Sequence, residues 1–450
     1  MYERYHIHVV PAPGRHRPVP KFVIRRADHC INCGKCERAC VYGAHRRDLA
    51  DPRRMAEPDS NLCKNCFRCL VECPQRALSI KVNEEFKALG KGVWTPQRVT
   101  TMWNEAENGT IPVLGAGYRG NFAGPGFDAM WTDMSEIVRP TRDGIHGREF
   151  ISTSVDIGRK PPLLHFDERG ALVTPMKGII DLPVPFLLDA SRLNVTTEAL
   201  KGLVSAVKEL GTLLVLRAGS IGGLGGTEPA GSLVPVLSNV GDVDRVPEKV
   251  RLVEVEHSPA WRDEVEVLRA RRPGLLVSVR VPPSPELMSE LDDLGREVDV
   301  LHLLFAEDGR DLSGAHARDT LRTVHRHLVS SGLRDRMTIL SSGGLAAAEM
   351  VPKSIICGAD AVTLETALLV ALGCRACVTC GEDCPSDLRG VPEMYVQHRV
   401  VNLCASWRDQ MLEMLGAMGI REVRRLRGET GRAIFQEDAQ REAFSGIEGG

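Results

Sequence analysis

From about residue 180 to residue 365, the chain alternates short apolar runs with amphipathic segments. Segments such as TTEALKGLVSAVKELG and DTLRTVHRHLVSSG repeat their apolar residues at the spacing of a helix. Most apolar runs are continuous, as is typical of parallel strands buried on both faces. They occupy residues 183–190, 212–219, 233–240, 251–257, 275–281, 299–306, 337–343 and 361–365. This pattern predicts an α/β fold, a (β/α)8 TIM barrel over residues 181–385. Its third and fourth repeats are the weakest, because residues 220–232 and 241–250 hold little helix.

Two similar runs of cysteines precede this region. Cys30, Cys33, Cys36 and Cys40 have the spacing C-x2-C-x2-C-x3-C, and Cys63, Cys66, Cys69 and Cys73 repeat it. This spacing holds two [4Fe–4S] clusters, with the fourth cysteine of each run reaching the other cluster. KFVIRR before the first run and RALSIKV after the second predict short strands. We therefore predict a small α+β bacterial-type ferredoxin domain over residues 21–82, which makes the chain an electron carrier.

A third run follows the last barrel strand. Cys374, Cys377, Cys380 and Cys384 precede Pro385. Zinc is the lesser alternative, since four-cysteine zinc sites usually separate their pairs more widely. We expect a third iron–sulfur cluster, either [3Fe–4S] or [4Fe–4S]. The remaining boundaries divide the chain into an N-terminal arm (1–20), a connector (83–180) and a C-terminal helical extension (386–450).

Composition excludes several classes of protein. The chain has 450 residues, 43% of them hydrophobic, and a formal net charge of -2, so no global charge favours nucleic acid or a membrane surface. No apolar run reaches the ~20 residues of a membrane helix, and the N-terminus lacks the apolar segment of a signal peptide. Thiolates in three runs require a reducing compartment, which predicts a cytoplasmic protein.

The two other cysteines, Cys357 and Cys404, are expected in the core. The basic residues up to Arg26 are interpreted as a solvated arm, with a docking patch as the alternative.

The ends of the last two barrel strands predict a phosphate site. Strand seven ends in Ser342, Gly343 and Gly344, and strand eight ends at Leu364-Glu365-Thr366. Loops at these positions commonly bind phosphate in such barrels. FMN is the natural phosphate-bearing cofactor beside iron–sulfur clusters, since a flavin converts one-electron into two-electron chemistry. A pair of ordinary turn glycines is the alternative.

A second glycine motif gives no nicotinamide site. Gly115, Gly117 and Gly120 match G-x-G-x-x-G, but NFAGPGF follows them and cannot open a regular helix. We interpret this segment as a glycine-rich surface loop.

Several segments resemble a known family. GLRDRMTILSSGGL (332–345) and GADAVTLETALLVALGCRAC (358–377) look like the FMN-binding barrel of the glutamate synthase large chain. RPTRDGIHGREFISTSVDIG (139–158) and VPKSIICGADAV (351–362) resemble the shorter archaeal-type members, which carry an N-terminal two-cluster ferredoxin module. Residues 400–431 resemble the helical end of that domain.

The resemblance implies roles for particular residues. Arg280 stands where the family has a lysine facing the flavin, and His302 would line the flavin cavity, although a hydrogen-bonded core histidine is the alternative. For Arg280 the alternative is a barrel-end arginine paired with a carboxylate. Gly343, Gly344 and Thr366 match the phosphate-binding positions. Cys374, Cys380 and Cys384 match the three cluster ligands of the family, and Cys377 supplies a possible fourth.

Departures from the family concern the substrate. Residues 219–231 lack the lysines of the loop that holds 2-oxoglutarate, and LLDASRLN replaces the first-strand motif. Arg217, Arg139 and Arg142 are possible substitutes.

Two readings of the function stay open. The first is a glutamate synthase-like oxidoreductase that reduces 2-iminoglutarate, formed from 2-oxoglutarate and ammonia, to glutamate; an alkylamine could replace ammonia. The second is a flavin and iron–sulfur electron-relay subunit whose substrate lies on a partner. No glutaminase domain is recognisable, so we expect a hetero-oligomer with glutaminase-type and NAD(P)H-flavin or ferredoxin partner proteins. We expect neither a nucleic-acid partner nor insertion into a membrane.

Overall fold

The structure is a computed structural model. It describes residues 5–15, 17–113, 115, 122–133, 151–161, 163–174, 178–225, 230–378 and 387–445. The strands in these ranges are β1 Phe22–Arg26, β2 Leu78–Val82, β3 Met130–Thr132, β4 Val155–Ile157, β5 Ile180–Leu182, β6 Phe186–Asp189, β7 Leu214–Arg217, β8 Leu233–Leu237, β9 Leu252–Glu256, β10 Leu276–Val281, β11 Val300–Leu304, β12 Thr338–Ser342, β13 Ala361–Leu364 and β14 Ala433–Phe435. The helices are α1 Lys35–Ala39, α2 Arg68–Val71, α3 Glu84–Lys87, α4 Pro96–Asn108, α5 Thr197–Leu210, α6 Trp261–Arg271, α7 Leu287–Glu297, α8 Ala317–Ser330, α9 Met350–Ile356, α10 Thr366–Ala371, α11 Glu393–Ala417 and α12 Gln436–Phe444.

Strands β6 to β13 close into a parallel barrel, which confirms the predicted fold class. Each strand pairs with the next, and β13 pairs back onto β6, with Val362 opposite Phe186. All eight strands fall within the apolar runs that predicted them. In their described residues, the segments after β7 and β8 form 3₁₀ turns, at Ala218–Leu224, Ala230–Ser232 and Val240–Arg245, as the weak third and fourth repeats indicated.

Helix α5 shows how the sequence sets these elements. The Thr196 side chain accepts a hydrogen bond from the N–H of Ala199 and so caps the helix start. Gly211, at φ +64°, ends the helix in the left-handed conformation that favours glycine. The buried face of α5, which includes Leu203 and Val207, packs against α11.

The region predicted as a connector contains a core helix. Thr95 directly precedes helix α4 and caps it, because its side chain accepts a hydrogen bond from the N–H of Arg98. The helix buries Val99, Met102 and Ala106. Glu105 of the same helix accepts hydrogen bonds from side chains of α11, as Trp407 and Gln410 donate to its carboxylate at 3.2 and 2.7 Å. The predicted C-terminal extension therefore packs into one core with α4 and the barrel helix α5.

The N-terminal end of the barrel is closed by the β4–β5 hairpin. Gly158, which follows β4, donates its N–H to the Thr338 hydroxyl at 3.0 Å and accepts from the same hydroxyl at 2.9 Å. Because Thr338 begins β12, this hairpin lies across the bottom of the barrel. The opposite end, where the strands finish, is the one available for chemistry.

The cysteine-rich region contains both predicted strands. Strands β1 and β2 pair antiparallel, with Ile24 opposite Ile80. A small cluster of Ile24, Cys36, Met55, Cys69 and Leu78 lies under this sheet. Among the helices that the structure describes, none is long and apolar enough to cross a membrane.

Candidate functional site

Charged side chains interrupt the apolar strands at the carboxyl end of the barrel. Arg280 of β10 is 1% exposed, and its guanidinium lies 2.9 Å from the Asp189 carboxylate and 3.2 Å from the Glu254 carboxylate. It also donates to the Ser191 hydroxyl at 2.8 Å. Arg280 therefore adopts the alternative arrangement, a barrel-end arginine paired with carboxylates.

His302 belongs to the same buried network. Its Nδ1 lies 2.9 Å from a Glu254 carboxylate oxygen, and its Nε2 lies 3.3 Å from the Thr363 hydroxyl. The Ser278 hydroxyl donates to Glu254 at 3.0 Å. Burial opposes ionisation of Glu254, but His302 and Arg280 outweigh it and lower the pKa of this carboxyl to about 2. Glu254 is thus an ionised carboxylate that holds His302 in place.

The loop after β12 has the features of an anion-binding site. The buried Ser342 hydroxyl has no hydrogen-bond partner within the described chain. In the same ranges, the N–H groups of Gly343, Gly344 and Leu345 donate to no acceptor. A phosphate would satisfy these buried donors, because unpaired polar groups are costly away from water.

The two glycines also have a packing reason. A Cβ on Gly343, at φ +89°, would lie 2.5 Å from the carbonyl oxygens of Phe305 and Ala306. A Cβ on Gly344 would lie 2.5 Å from the Cα of Gly309. Both therefore let the loop after β11 pack against the loop after β12. This packing is compatible with a phosphate on the other side of the loop, so the phosphate-binding role of the two glycines stays a prediction.

Glu365 and Arg192 meet beside this loop. Glu365 lies directly after β13, and the Arg192 guanidinium donates two hydrogen bonds to its carboxylate, at 2.9 and 2.5 Å. Arg192 also donates to the Phe305 carbonyl at 3.3 Å. Burial raises the pKa of Glu365, although Arg192 opposes the shift. Thr366 follows and is half-buried at the first position of α10. The site thus fits a phosphate-bearing group at Ser342, Gly343 and Gly344, with the cation of Arg192 nearby but paired with Glu365.

The first two cysteine runs lie close together in space. All described cysteines are free thiols. Burial, together with the nearby thiols of Cys63, Cys66 and Cys40, raises the pKa of Cys69 to about 11. Cys40, the last cysteine of the first run, thus lies near the second run, as expected for crossed ligation.

An arginine contacts the first run. The Arg26 guanidinium donates to Cys30 at 3.4 Å and to Cys36 at 3.8 Å, so this residue is not part of a solvated arm. Within the ranges described, no three His, Cys, Asp or Glu side chains are close enough to hold one metal ion. A four-iron cubane requires a wider cavity than a single ion, so the separation of the thiols is compatible with a cluster.

The third run begins at the C-terminal end of α10. The N–H of Ala376 donates to the Cys374 sulfur at 3.4 Å, and the Trp103 indole donates to the Cys374 carbonyl at 3.3 Å. Ala376 adopts φ +47°, which bends the chain sharply between Cys374 and Cys377. Cys380 and Cys384 lie outside the described residues.

A short segment joins the cysteine-rich region, the third run and the barrel end. Arg375 forms a 2.9 Å ion pair with Glu85 and accepts the N–H of Gly90 at its carbonyl. Lys91 forms a 2.7 Å ion pair with Glu307, which lies in the loop after β11. We call residues 84–95 the bridging segment. It contacts both the third run and the loop that packs on Gly343 and Gly344.

Several residues of the site were missed by sequence reasoning. These are Asp189, Ser191, Arg192, Glu254 and Thr363. The sequence signal that could have found them is a charged residue inside an apolar strand, as in FLLD and LVEVE. Which residue such a charge pairs with depends on the strand register. Among the substitutes for the substrate loop, Arg217 is exposed at the end of β7. Gly117, Gly120, Arg139 and Arg142 lie outside the described residues.

Comparisons with known proteins agree with this geometry. The conserved region of glutamate synthase matches residues 307–421. The archaeal glutamate synthase [NADPH] of Archaeoglobus fulgidus is 27% identical over 510 residues, covering 96% of this chain and 97% of that protein. The archaeal-type glutamate synthase [NADPH] of Dehalococcoides mccartyi is 25% identical, covering 91% and 94%. A ferredoxin of Pyrobaculum islandicum is 33% identical over 72 residues, or 16% of this chain and 64% of that protein. The chain is therefore similar from end to end to archaeal-type glutamate synthases, and residues 307–421 match the conserved region of glutamate synthase.

Proposed function

We propose that the chain is an FMN- and iron–sulfur-dependent oxidoreductase of the glutamate synthase type. Electrons would enter at the first two cysteine runs, pass the third run, and serve to reduce a 2-imino acid, in the family reaction the imine of 2-oxoglutarate and ammonia. When bound, FMN supplies the conversion between one-electron and two-electron chemistry. The reaction, the electron path and the cluster types are parts of this proposal.

One observation carries it: the third run starts where α10 ends, and α10 starts beside the candidate phosphate loop. A helix of six residues spans about 9 Å. Cys374 is therefore one short helix away from Thr366, so a cluster on the third run would lie close to a cofactor at the barrel end. Contacts of Glu85 and Gly90 with Arg375 link the same point to the bridging segment, which follows the first two runs along the chain.

The chain's own residues have separate roles in this reading. The Ser342 hydroxyl and the N–H groups of Gly343 and Gly344 would bind the phosphate. Arg280 would keep a positive charge in the buried part of the site, because Asp189 and Glu254 hold its guanidinium in place. Arg192 and Arg217 carry positive charge on more exposed groups, suited to a carboxylate of the substrate.

Anaerobic stopped-flow spectroscopy of the cluster-replete protein tests the proposal. The protein would be reduced with dithionite and then mixed with 2-oxoglutarate and ammonia. We expect the flavin to be reoxidised while glutamate forms in the same proportion. A reduced flavin that persists with these reactants, and discharges only to another redox protein, would contradict the synthase reading.

That contrary outcome defines the second candidate, an electron-relay subunit. A specific observation favours it: the described barrel end is rich in carboxylates, and Arg280 is already paired with them. Such a site is a poor match for a dicarboxylate unless further cations contribute. Titration of the oxidised protein with 2-oxoglutarate separates the candidates, because a relay has no site for it.

Replacing Glu365 by glutamine should strengthen FMN binding by about tenfold. The change removes a negative charge beside the phosphate loop and releases Arg192 from its two-bond pair, and a charge interaction of this kind is worth about 1.4 kcal/mol or more. Quenching of FMN fluorescence on titration into flavin-free protein measures the affinity.

Glu256→Gln is the matched control for this variant. It also removes one carboxylate from the barrel end, but Glu256 lies 4.0 Å from Arg280 on the other side of the site. Equal effects of the two substitutions, or weaker binding by Glu365→Gln, would show that Glu365 does not oppose the phosphate.

A further inference from the structure

The surface of the cysteine-rich region is apolar next to its cysteines. Cys33 and Cys66 are themselves exposed. Large apolar side chains at the surface of this region include Ile31 (58% exposed), Val41 (78%), Tyr42 (45%), Leu49 (90%), Leu62 (43%) and Val71 (86%). Ile31, Val41 and Leu62 each stand directly beside a cysteine of the two runs. Exposed apolar residues grouped in this way mark an interaction surface.

Part of this surface forms a groove. It encloses about 480 Å³, and its lining includes Tyr42, Leu62, Arg17, Lys64 and Asp59. We call it the Tyr42 groove. Tyr42 lies two residues after Cys40, and Leu62 lies directly before Cys63, so the groove adjoins the thiols that surround Cys69. A partner seated there would lie beside the second cluster.

The charge of the region indicates the kind of partner. Residues 21–82 contain 13 Lys and Arg against 7 Asp and Glu, a net +6, whereas the whole chain carries -2. The remaining residues therefore carry -8. Lys64 and Arg17 are exposed and form no ion pair within the described ranges, so their charges face outward. Thiolate-bound clusters would reduce this positive excess but leave the basic groups around the groove in place.

We propose that the Tyr42 groove is the docking site of an acidic one-electron carrier protein, and thus the point where electrons enter the chain. The inference rests on the proposed function, because it takes the cysteines to hold clusters. The carrier loses one electron and the neighbouring cluster gains one, with no bond made and no proton moved. The basic region attracts an acidic partner, and the net negative remainder of the chain repels it, so docking is directed to the groove. Tyr42 and Leu62 supply the apolar contact that such an interface needs at its centre.

Binding of an acidic plant-type [2Fe–2S] ferredoxin, used as the probe, tests this inference. Calorimetry on the cluster-replete protein should show binding that weakens as ionic strength rises. The double variant Arg17→Glu and Lys64→Glu should bind at least about tenfold more weakly, because two attractive charges become repulsive. Arg245→Glu is the matched control: its side chain is 86% exposed on the barrel, away from the groove, and binding should be unchanged.

Three results would overturn the inference: no binding by the unaltered protein, binding insensitive to salt, or equal binding by the double variant. Absorbance of the clusters in each variant verifies that the region is folded. The probe, in its reduced form, should also reduce the clusters without 2-oxoglutarate or ammonia. Normal docking and cluster reduction without glutamate formation would count against the proposed function alone. Absence of docking by the unaltered protein, with dithionite-driven turnover intact, would count against the groove alone.

Discussion

Replacing Cys374 by serine should lower turnover with a reduced ferredoxin-type donor by about a hundredfold or more if, as proposed, this thiol is a cluster ligand of the third run. The thiol is held at the end of α10 by contacts of its neighbours, Trp103 and Ala376. The first two runs do not depend on it, so their clusters should still accept electrons. Electron paramagnetic resonance, together with the rate of substrate reduction, measures both effects.

Two other cysteines serve as controls for this experiment. Cys404→Ala removes a thiol that is fully buried in α11, outside all three runs, so it should affect stability rather than turnover. Cys377→Ser tests the cluster type: turnover that survives this change indicates three ligands from the run. Unaltered turnover of Cys374→Ser would exclude the third run from the electron path.

Replacing Arg280 by methionine should lower the free energy of unfolding by about 3–5 kcal/mol, the usual cost of removing one partner from a buried ion pair. Asp189 and Glu254, both fully buried, would lose their shared cation. Denaturation by urea at pH 7, compared with that of the exposed-site variant Arg245→Met, measures the loss. A difference below 1 kcal/mol would show that the network does not stabilise the barrel.

Ionisation of Glu254 makes the stability lost in the Arg280→Met variant depend on pH. In the unaltered protein its pKa of about 2 lies below the ordinary 4.5, so its stabilising contribution is present above pH 4.5 and is lost as the pH falls toward 2. Without Arg280, His302 still lowers the pKa of Glu254, but one of the two charges that oppose burial is lost, so this pKa rises and protonation of Glu254 favours the folded variant. The gap in stability between the two proteins should therefore narrow as the pH falls from 7 toward 4. A constant gap would show that Glu254 stays ionised by other means.

Arg280→Lys separates the two roles of this residue. Lysine keeps the charge but cannot bond Asp189, Ser191 and Glu254 together as the planar guanidinium does. We expect a stability between those of the unaltered and methionine proteins. If the charge also acts on the flavin, the lysine variant should keep the flavin's reduction potential while the methionine variant lowers it.

The barrel could be predicted because its strands are buried on both faces. Continuous apolar runs such as LLVSVRV have few other stable arrangements, and helix signals such as the cap at Thr196 separate them. Helix α4 was missed because its polar residues obscure the apolar spacing, although Thr95 and Pro96 are a typical helix start.

The charge network could not be predicted in the same way. Asp189, Glu254 and Arg280 come from strands β6, β9 and β10, and their contact depends on the closure and register of the barrel. Sequence spacing carries no information on which side chains meet across a barrel. The cysteine runs are different, because their ligands lie within a few residues of one another. The assignment of the cysteines and of the flavin-binding residues stays a prediction.

The bridging segment fixes how the two parts of the chain meet in the internal step. The cysteine-rich region continues into this segment, in which Glu85 pairs with Arg375 and Lys91 pairs with Glu307, so it does not meet the barrel by diffusion. Its effective concentration at the third run is therefore set by the fold and not by the amount of protein in solution. Transfer between the two parts should proceed at a rate independent of dilution, and only the encounter with the external donor should follow second-order kinetics.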